Sequence, residues 1–285
     1  MTLLTVLLVV ALEYHFQWGA EYRSFGWFSS LQEKLDDMFG EHSFFEGWGG
    51  IGLILLIPVL IVGLFVGIFD GGFYYLILFI VSCVVLFLCL GPRPLEVSFR
   101  SYFEAMERGD EQAAYLLLNQ ESQAEDVPEG DEIVRNATRV ILVESQARYF
   151  GVLFWFIFLG PFGALFYRLA HQYYCDCKKH NKEEHLPLMS QLLHVVDWLP
   201  ARLTCFLFLL TGDFVNGFYR VKDYFADLSA NSQHIISETG VAALGLEMGV
   251  SDQGIKENRN AMAMVERTLI IYVVVAAALT PLAFW

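Results

Sequence analysis

Apolar residues fall along this chain in a few long uncharged runs, separated by polar stretches in which they recur at helical spacing. The runs 51–69 and 73–90 each approach the ~20 residues needed to cross ~30 Å of hydrocarbon, and only Asp70, Gly71 and Gly72 separate them. They predict a tight transmembrane hairpin. Residues 2–18 form another apolar helix, barely long enough to span, with Glu13 and His15 in its second half. Either Glu13 lies at depth, where an acid marks a functional site by default, or the helix ends near Leu12 and Glu13 reaches the headgroups; the shortness of the run favours the second. Between helix and hairpin, Leu31, Leu35 and Met38 share one face of a helix and predict an amphipathic segment along the membrane surface.

After the hairpin, Pro92 and Pro94 stop the helix. A helix over 97–108 follows, with Phe99, Phe103 and Met106 on one side, and Gly109 ends it. Asp110 is placed to cap a second helix over 111–118. Residues 121–132, with Pro128 and Gly130, read as a solvated loop, and a new helix begins near Asp131 and enters the membrane near Tyr149. The run 151–167 is apolar but interrupted by Gly160, Pro161 and Gly163, which predicts a kinked span or a re-entrant hairpin, since such a break needs protein or a cavity to satisfy the freed backbone.

Of the 18 Lys and Arg residues, Arg23 and Lys34 precede the hairpin and the rest lie from Arg93 to Arg267. The run 203–210 is too short to span alone, and a crossing by 151–167 without it would export Arg168, Lys178, Lys179 and Lys182 against the positive-inside tendency. Residues 96–267 are therefore expected to be cytoplasmic, with both apolar runs dipping into the bilayer, and 268–285 form a final apolar segment ending in Trp285. The expected fold is all-α: a polytopic integral membrane protein with broken or re-entrant apolar helices and a cytoplasmic helical region. Its segments are N-terminal membrane helices with an amphipathic linker (1–91), a cytoplasmic helical insert (92–149), broken membrane helices (150–212), a cytoplasmic helical segment (213–266) and a C-terminal membrane helix (267–285).

Composition agrees with a membrane protein: 55% of the 285 residues are hydrophobic. The net charge of −14 argues against nucleic acid as a partner and supplies no polybasic lipid patch. The five cysteines, Cys83, Cys89, Cys175, Cys177 and Cys205, are odd in number with two in a predicted span, so no disulfide framework is implied. The N-terminus lacks a basic region and a small-residue cleavage site, so it is kept in the mature protein. The sequon at Asn136 carries no meaning in a cytoplasmic segment.

Candidate chemistry concentrates in residues 192–204, where Asp197 and Arg202 flank Trp198, Leu199 and Pro200. A buried charge needs a partner; the two are expected to pair with each other or with a ligand. Arg202, just after a helix begun by Pro200, would oppose the helix dipole, which also points to a specific partner. Arg148, Arg168 and Arg202 each sit at an apolar boundary, where they either converge on an anion or snorkel to the interface. His171, Cys175, Cys177, His180 and His185 are zinc-ligand residue types, but Cys-x-Cys is tighter than the usual pair and Lys178 and Lys179 intervene, so a basic interfacial loop is favoured and no metal site is assigned. The small-residue stretch 237–249, with Glu238 near its start, is either a tightly packed helix or a place where backbone approaches a ligand. No phosphate-cradling loop, dinucleotide fingerprint or nucleophile elbow is present.

Three stretches in order, MTLLTVLLVVALE at the start, RYFGVLFWFIFLGPFGALFYR over 148–168 and HVVDWLPARL over 194–203, resemble the AmpE family of inner-membrane modulators, encoded beside the AmpD amidase in Gram-negative bacteria. The resemblance covers essentially the whole chain. It implies a multi-pass protein of the bacterial inner membrane that modulates β-lactamase induction and cell-wall recycling, with a muropeptide or nucleotide as ligand and the recycling amidase as a partner. The family is itself similar to the CobD/CbiB cobalamin-pathway synthases, which join an aminopropanol group to a corrinoid carboxylate with ATP; LFW at 153–155, GALFYR at 163–168 and PARLT at 200–204 match that wider pattern. That likeness implies an alternative, a membrane-bound ligase with ATP as cofactor. The departures weigh against it: polar positions of the synthases are Arg139, Glu144, Ala147, Arg148 and His171 here, their acidic pair and Asn before PARLT are replaced by Leu193, His194 and Asp197, and their GDP-containing motif is missing after Glu13. Glu144, Arg148, Arg168, His194, Asp197, Arg202, Glu13 and Glu238 are the ligand-site candidates, with no catalytic residue assigned.

Overall fold

The computed structural model describes residues 2–15, 25–40, 42–69, 72–90, 94–122, 133–180, 182–225, 227, 230–246 and 254–279. Residues 123–132 of the loop expected over 121–132 and the terminal Trp285 lie outside them, as does the side chain of Glu13; Glu121 itself is the last residue of a helix.

Among the described residues the protein is helical throughout, with twelve α-helices: α1 Thr2–His15, α2 Gly26–Phe39, α3 Trp48–Gly67, α4 Gly72–Cys89, α5 Leu95–Glu107, α6 Glu111–Glu121, α7 Ile133–Ser145, α8 Gly151–Lys179, α9 Leu186–Thr211, α10 Phe214–Phe225, α11 Ser232–Ala243 and α12 Ile255–Leu279. A π-helical turn, Gln146–Phe150, joins α7 to α8. It is an all-α membrane protein. Trp48–Gly67, the continuous stretch Ile133–Lys179 and Leu186–Thr211 are each long and apolar enough to cross a bilayer, and Leu3–Leu12 and Phe73–Cys89 are shorter apolar helices.

The helices cluster into two compact units. The first comprises residues 1–92, 151–196 and 276–285, the second 93–150 and 197–275. In the first, α3 and α4 pack on α8 and α1 packs on α4. The expected hairpin is present as α3 and α4. Close approach explains Gly151, because a Cβ there would lie 2.1 Å from the Tyr167 hydroxyl. The break in α8 falls at Gly160, whose φ of 66° and ψ of −154° belong to a region open essentially to glycine alone; Pro161 follows with no N–H to bond back across the break.

Three expectations are corrected. Helix α2 packs part of its apolar face on protein rather than leaving all of it for the membrane: Phe28, Gln32 and Leu35 are buried, Phe28 against the Tyr173 ring and Gln32 through a 3.0 Å hydrogen bond to Asp176, while Met38 is exposed. Pro200 starts no helix but lies inside α9, because a proline removes only one backbone hydrogen bond of the helix and the flanking apolar runs continue it. For the same reason residues 203–210 are no isolated short run but the C-terminal part of a 26-residue helix.

In the second unit α5 packs on α6, both touch α7, and α11 lies against α7 and α10. Gly109, at φ 75°, ends the turn after α5, and Asp110 caps α6 by accepting from Ala113 N at 3.0 Å, as its sequence foretells. Replacing Gly160 by Ala forces a Cβ into the break in α8; the variant is expected to lose about 1–3 kcal/mol, read as a lower thermal midpoint of the detergent-purified protein, whereas an unchanged midpoint means the break is not held in that conformation.

Candidate functional site

Helix α7 carries an unusual load for a buried helix. Arg135, Asn136, Thr138, Glu144 and Ser145 are all buried along it. Arg135, Thr138 and Ser145 recur at helical spacing with the apolar Leu142 among them, so one face of α7 is a largely polar seam directed into the second unit. Each of its charges is met by another. Arg135, 3% exposed, donates from Nε to Glu257 Oε1 at 2.6 Å and from Nη2 to Glu257 Oε2 at 3.2 Å. Such a two-point fork holds a carboxylate in plane. Next to it Asn258 donates to the Val134 carbonyl at 2.7 Å and to Thr138 Oγ1 at 2.9 Å, and accepts from the Tyr102 hydroxyl at 3.1 Å. Burial first, and then the Glu257 carboxylate, push the Tyr102 phenol well above its usual range. Further out, Arg139 donates to Glu238 at 3.2 Å.

The seam ends in the π-turn, a widened loop of helix that often marks functional sites. There Arg148, 1% exposed, donates to Glu144 Oε2 at 3.0 Å, to Ser98 Oγ at 2.7 Å and to Glu121 Oε2 at 3.1 Å. One guanidinium thus faces two carboxylates and ties α7 to α5 and α6. Two residues earlier, Gln146 Oε1 lies 2.6 Å from Thr204 Oγ1, while the buried Gln146 Nε2 has no hydrogen-bond partner. Rotating that amide by half a turn lets Nε2 donate to Thr204, whose hydroxyl then bonds the Pro200 carbonyl 3.0 Å away.

Asp197 and Arg202 turn out otherwise than expected. Arg202 donates to three carbonyls, of Trp198 at 2.9 Å, Phe225 at 2.9 Å and Asp227 at 2.5 Å, with its guanidinium 4.1 Å from the Trp198 ring centroid. Because Pro200 lies inside α9, Arg202 is a mid-helix residue and the helix dipole makes no demand on it; its role is to staple α9 to the end of α10. Asp197 is buried. Of the two alternatives for the arginines, convergence on an anion or snorkelling to the interface, neither describes Arg148 and Arg202 as they stand, because their donors are taken by internal partners. Arg168 and His194 belong to the other unit, where the Arg168 guanidinium lies 6.0 Å from the Phe25 ring centroid and His194 is half-buried. Glu238 serves Arg139, and the stretch around it is the helix α11: a Cβ on Gly240 would lie 2.5 Å from Leu142 Cδ1, so the small residues allow close packing against α7.

Among the described residues no group of three His, Cys, Asp or Glu side chains is placed to hold one metal ion. His185 instead has one ring nitrogen against the Tyr173 hydroxyl and the other 2.7 Å from the Phe45 carbonyl, and Lys182 reaches Asp36 at 2.5 Å. Sequence reading missed Arg135, Glu257, Asn258, Glu121, Ser98 and Tyr102. The available signal was a charge, Arg135, on the same helical face as Thr138 and Leu142.

Comparison with known proteins places this architecture. The family model described as "Regulatory signalling modulator protein AmpE" matches residues 1–283. The chain belongs to the AmpE family. It is 24% identical to "Protein AmpE" of Shigella flexneri over 98% of both chains. It is also 28% identical to "Cobalamin biosynthesis protein CobD" of Chromobacterium violaceum over 60% of this chain and 55% of that protein. A third relative, "Probable cobalamin biosynthesis protein CobD" of Thermoplasma acidophilum, is 24% identical over 67% of this chain and 64% of its own length. No solved structure matches the chain. Membership of the AmpE family, with helices long and apolar enough to span a bilayer, gives the protein a regulatory role at a membrane.

Two consequences of the seam are measurable. Replacing Tyr102 by Phe removes one buried hydrogen bond to Asn258 and is expected to cost about 0.5–1.5 kcal/mol at neutral pH. The phenol is raised in the fold, so its protonated form contributes stability below the unfolded value of ~10 that is lost as pH rises above it. Unfolding measured from pH 8 to 11 should therefore show a steeper decline for the wild type than for Tyr102→Phe; parallel profiles would contradict the placement of Tyr102.

Proposed function

We propose that this AmpE-family protein is an inner-membrane regulator of β-lactamase induction and peptidoglycan recycling, that its ligand is a muropeptide or a nucleotide, and that it works alongside a cell-wall recycling amidase. The observation that carries this reading is the internal occupancy of Arg148. Its guanidinium, in the π-turn, already holds Glu144, Glu121 and Ser98. An incoming carboxylate or phosphate has to compete with those carboxylates, and success would release α6 from α7. A ligand that binds one arrangement better than the other shifts the population between them, which is what a sensor requires.

The second reading, an ATP-dependent ligase built on the CobD scaffold, draws on the partial likeness to the cobalamin proteins. The Arg148 cluster is held by two carboxylates and offers a triphosphate no free cation until one of them is displaced, so it gives this reading no support of its own.

The test is β-lactam induction of β-lactamase in a Gram-negative host lacking its own family member and carrying this protein. Glu121→Gln, which leaves Arg148 with Glu144 and Ser98, is expected to change induction several-fold at unchanged membrane levels. Asp197→Ala and Arg202→Ala are measured beside it. Induction unchanged in all three at normal levels ends the proposal, and formation of an amide product from ATP and a corrinoid acid by the purified protein puts the ligase in its place.

A further inference from the structure

Helix α10 exposes a face that the regulatory reading does not use. Phe214, Val215, Phe218 and Tyr219 are exposed, Val215 and Tyr219 at 77% and 73%. At 100° per residue they occupy one arc of the helix with Lys222 near its middle. The adjoining side, Gly217 and Val221, is buried, with Gly217 close to Ala243 of α11. The exposed rings are ordered among themselves: Phe214 and Phe218 stack at 5.8 Å with planes 2° apart, and Lys222 Nζ lies 4.6 Å from the Tyr219 ring centroid.

What covers this face is indicated by its connection to α9. Helix α9 is long and apolar enough to cross a bilayer, and it exposes Phe206 and Leu210 near its end. Only Gly212 and Asp213 intervene before α10. The Phe206 and Phe214 rings meet edge to face at 6.2 Å, so the apolar surface of the span continues without interruption onto α10. The elbow between them is fixed. A Cβ on Gly212 would lie 2.2 Å from the Ala243 carbonyl oxygen, Asp213 N donates to that same carbonyl at 2.8 Å, and Asp213 caps α10 by accepting from Asn216 N at 3.1 Å.

We infer that α10 is an interfacial helix that lies in the headgroup layer of the bilayer that α9 spans, with Phe214, Val215, Phe218 and Tyr219 inserted toward the acyl chains. Lys222, in the midst of the apolar arc, extends its stem along the Tyr219 ring and presents its ammonium to lipid phosphates. Arg220 does not join it, being held by the Leu246 carbonyl at 2.9 Å. Attachment is mainly apolar, since Asp223 offsets one of the two cations of α10 and the chain as a whole carries a net charge of −14. An amphipathic helix of this kind inserts to about 5–10 Å, at the boundary of headgroups and acyl chains.

The test uses full-length protein in phosphatidylethanolamine/phosphatidylglycerol vesicles. Val215→Cys and Tyr219→Cys are labelled with an environment-sensitive fluorophore, and Arg100→Cys, at an exposed position of α5, is the reference. The protein without an added cysteine gives the background of the native thiols. Iodide reports water, and lipids bearing a nitroxide at a shallow or a deep acyl position report depth. Iodide is expected to quench positions 215 and 219 several-fold less than position 100, and the shallow nitroxide to quench them more than the deep one. Iodide quenching equal to that at position 100 overturns the proposal in favour of a solvated helix. Protection from iodide without quenching by either lipid overturns it in favour of cover by protein, and stronger quenching by the deep nitroxide overturns it in favour of a membrane-embedded segment.

Discussion

Burying Arg135 against Glu257 is the commitment on which the second unit rests. A guanidinium and a carboxylate removed from water each lose hydration worth several kcal/mol, and only close, well-aligned contact offsets that loss. The two-point contact from α7 to α12 meets this condition, and the residue after Glu257 extends it. Asn258 bonds α7 twice and receives the Tyr102 hydroxyl of α5. Three helices far apart in sequence are thereby held at one point by polar groups that have no good alternative inside the fold. Hydrophobic packing would tolerate small rotations of α7; this arrangement does not.

From that anchor the seam runs along α7 to the π-turn, where Arg148 repeats the solution in a less closed form. Its partner Glu121 is partly exposed, whereas Glu257 is fully buried. The inner pair is therefore suited to fixing the structure and the outer cluster to exchanging a partner, and the proposed sensing role at Arg148 rests on that difference. The first unit is built differently. There α8 packs against α3 and α4, which are apolar all round, and is drawn close on itself by the fit of Gly151 to Tyr167.

Local features of this fold were legible in the sequence because local chemistry decides them. The α3–α4 hairpin follows from run length, the cap at Asp110 from side-chain type, and the break at Gly160 from the Gly-Pro pair. Pro200 misled because a single proline in a long apolar helix kinks or weakens it without ending it. The partners of the charges were not legible. Arg135 and Glu257 are separated by 122 positions, and nothing in either neighbourhood names the other. Asp197 and Arg202 are close in sequence, which favoured a pairing, yet Arg202 satisfies its donors on backbone carbonyls. The aromatic arc of α10 was written at positions 214, 215, 218 and 219 but was absorbed into a segment read as cytoplasmic.

The second unit depends on the charges of α7 being paired as a structural unit, and a double-mutant cycle on Arg135 and Glu257 measures that directly. Arg135→Met and Glu257→Leu are each expected to destabilise the protein by about 3–5 kcal/mol, since each leaves the other charge buried and alone. The double variant should fall short of their sum by about 1 kcal/mol or more, as expected for residues in contact. Additivity to within about 0.5 kcal/mol would mean that the two side chains do not meet, and the polar seam would lose its anchor.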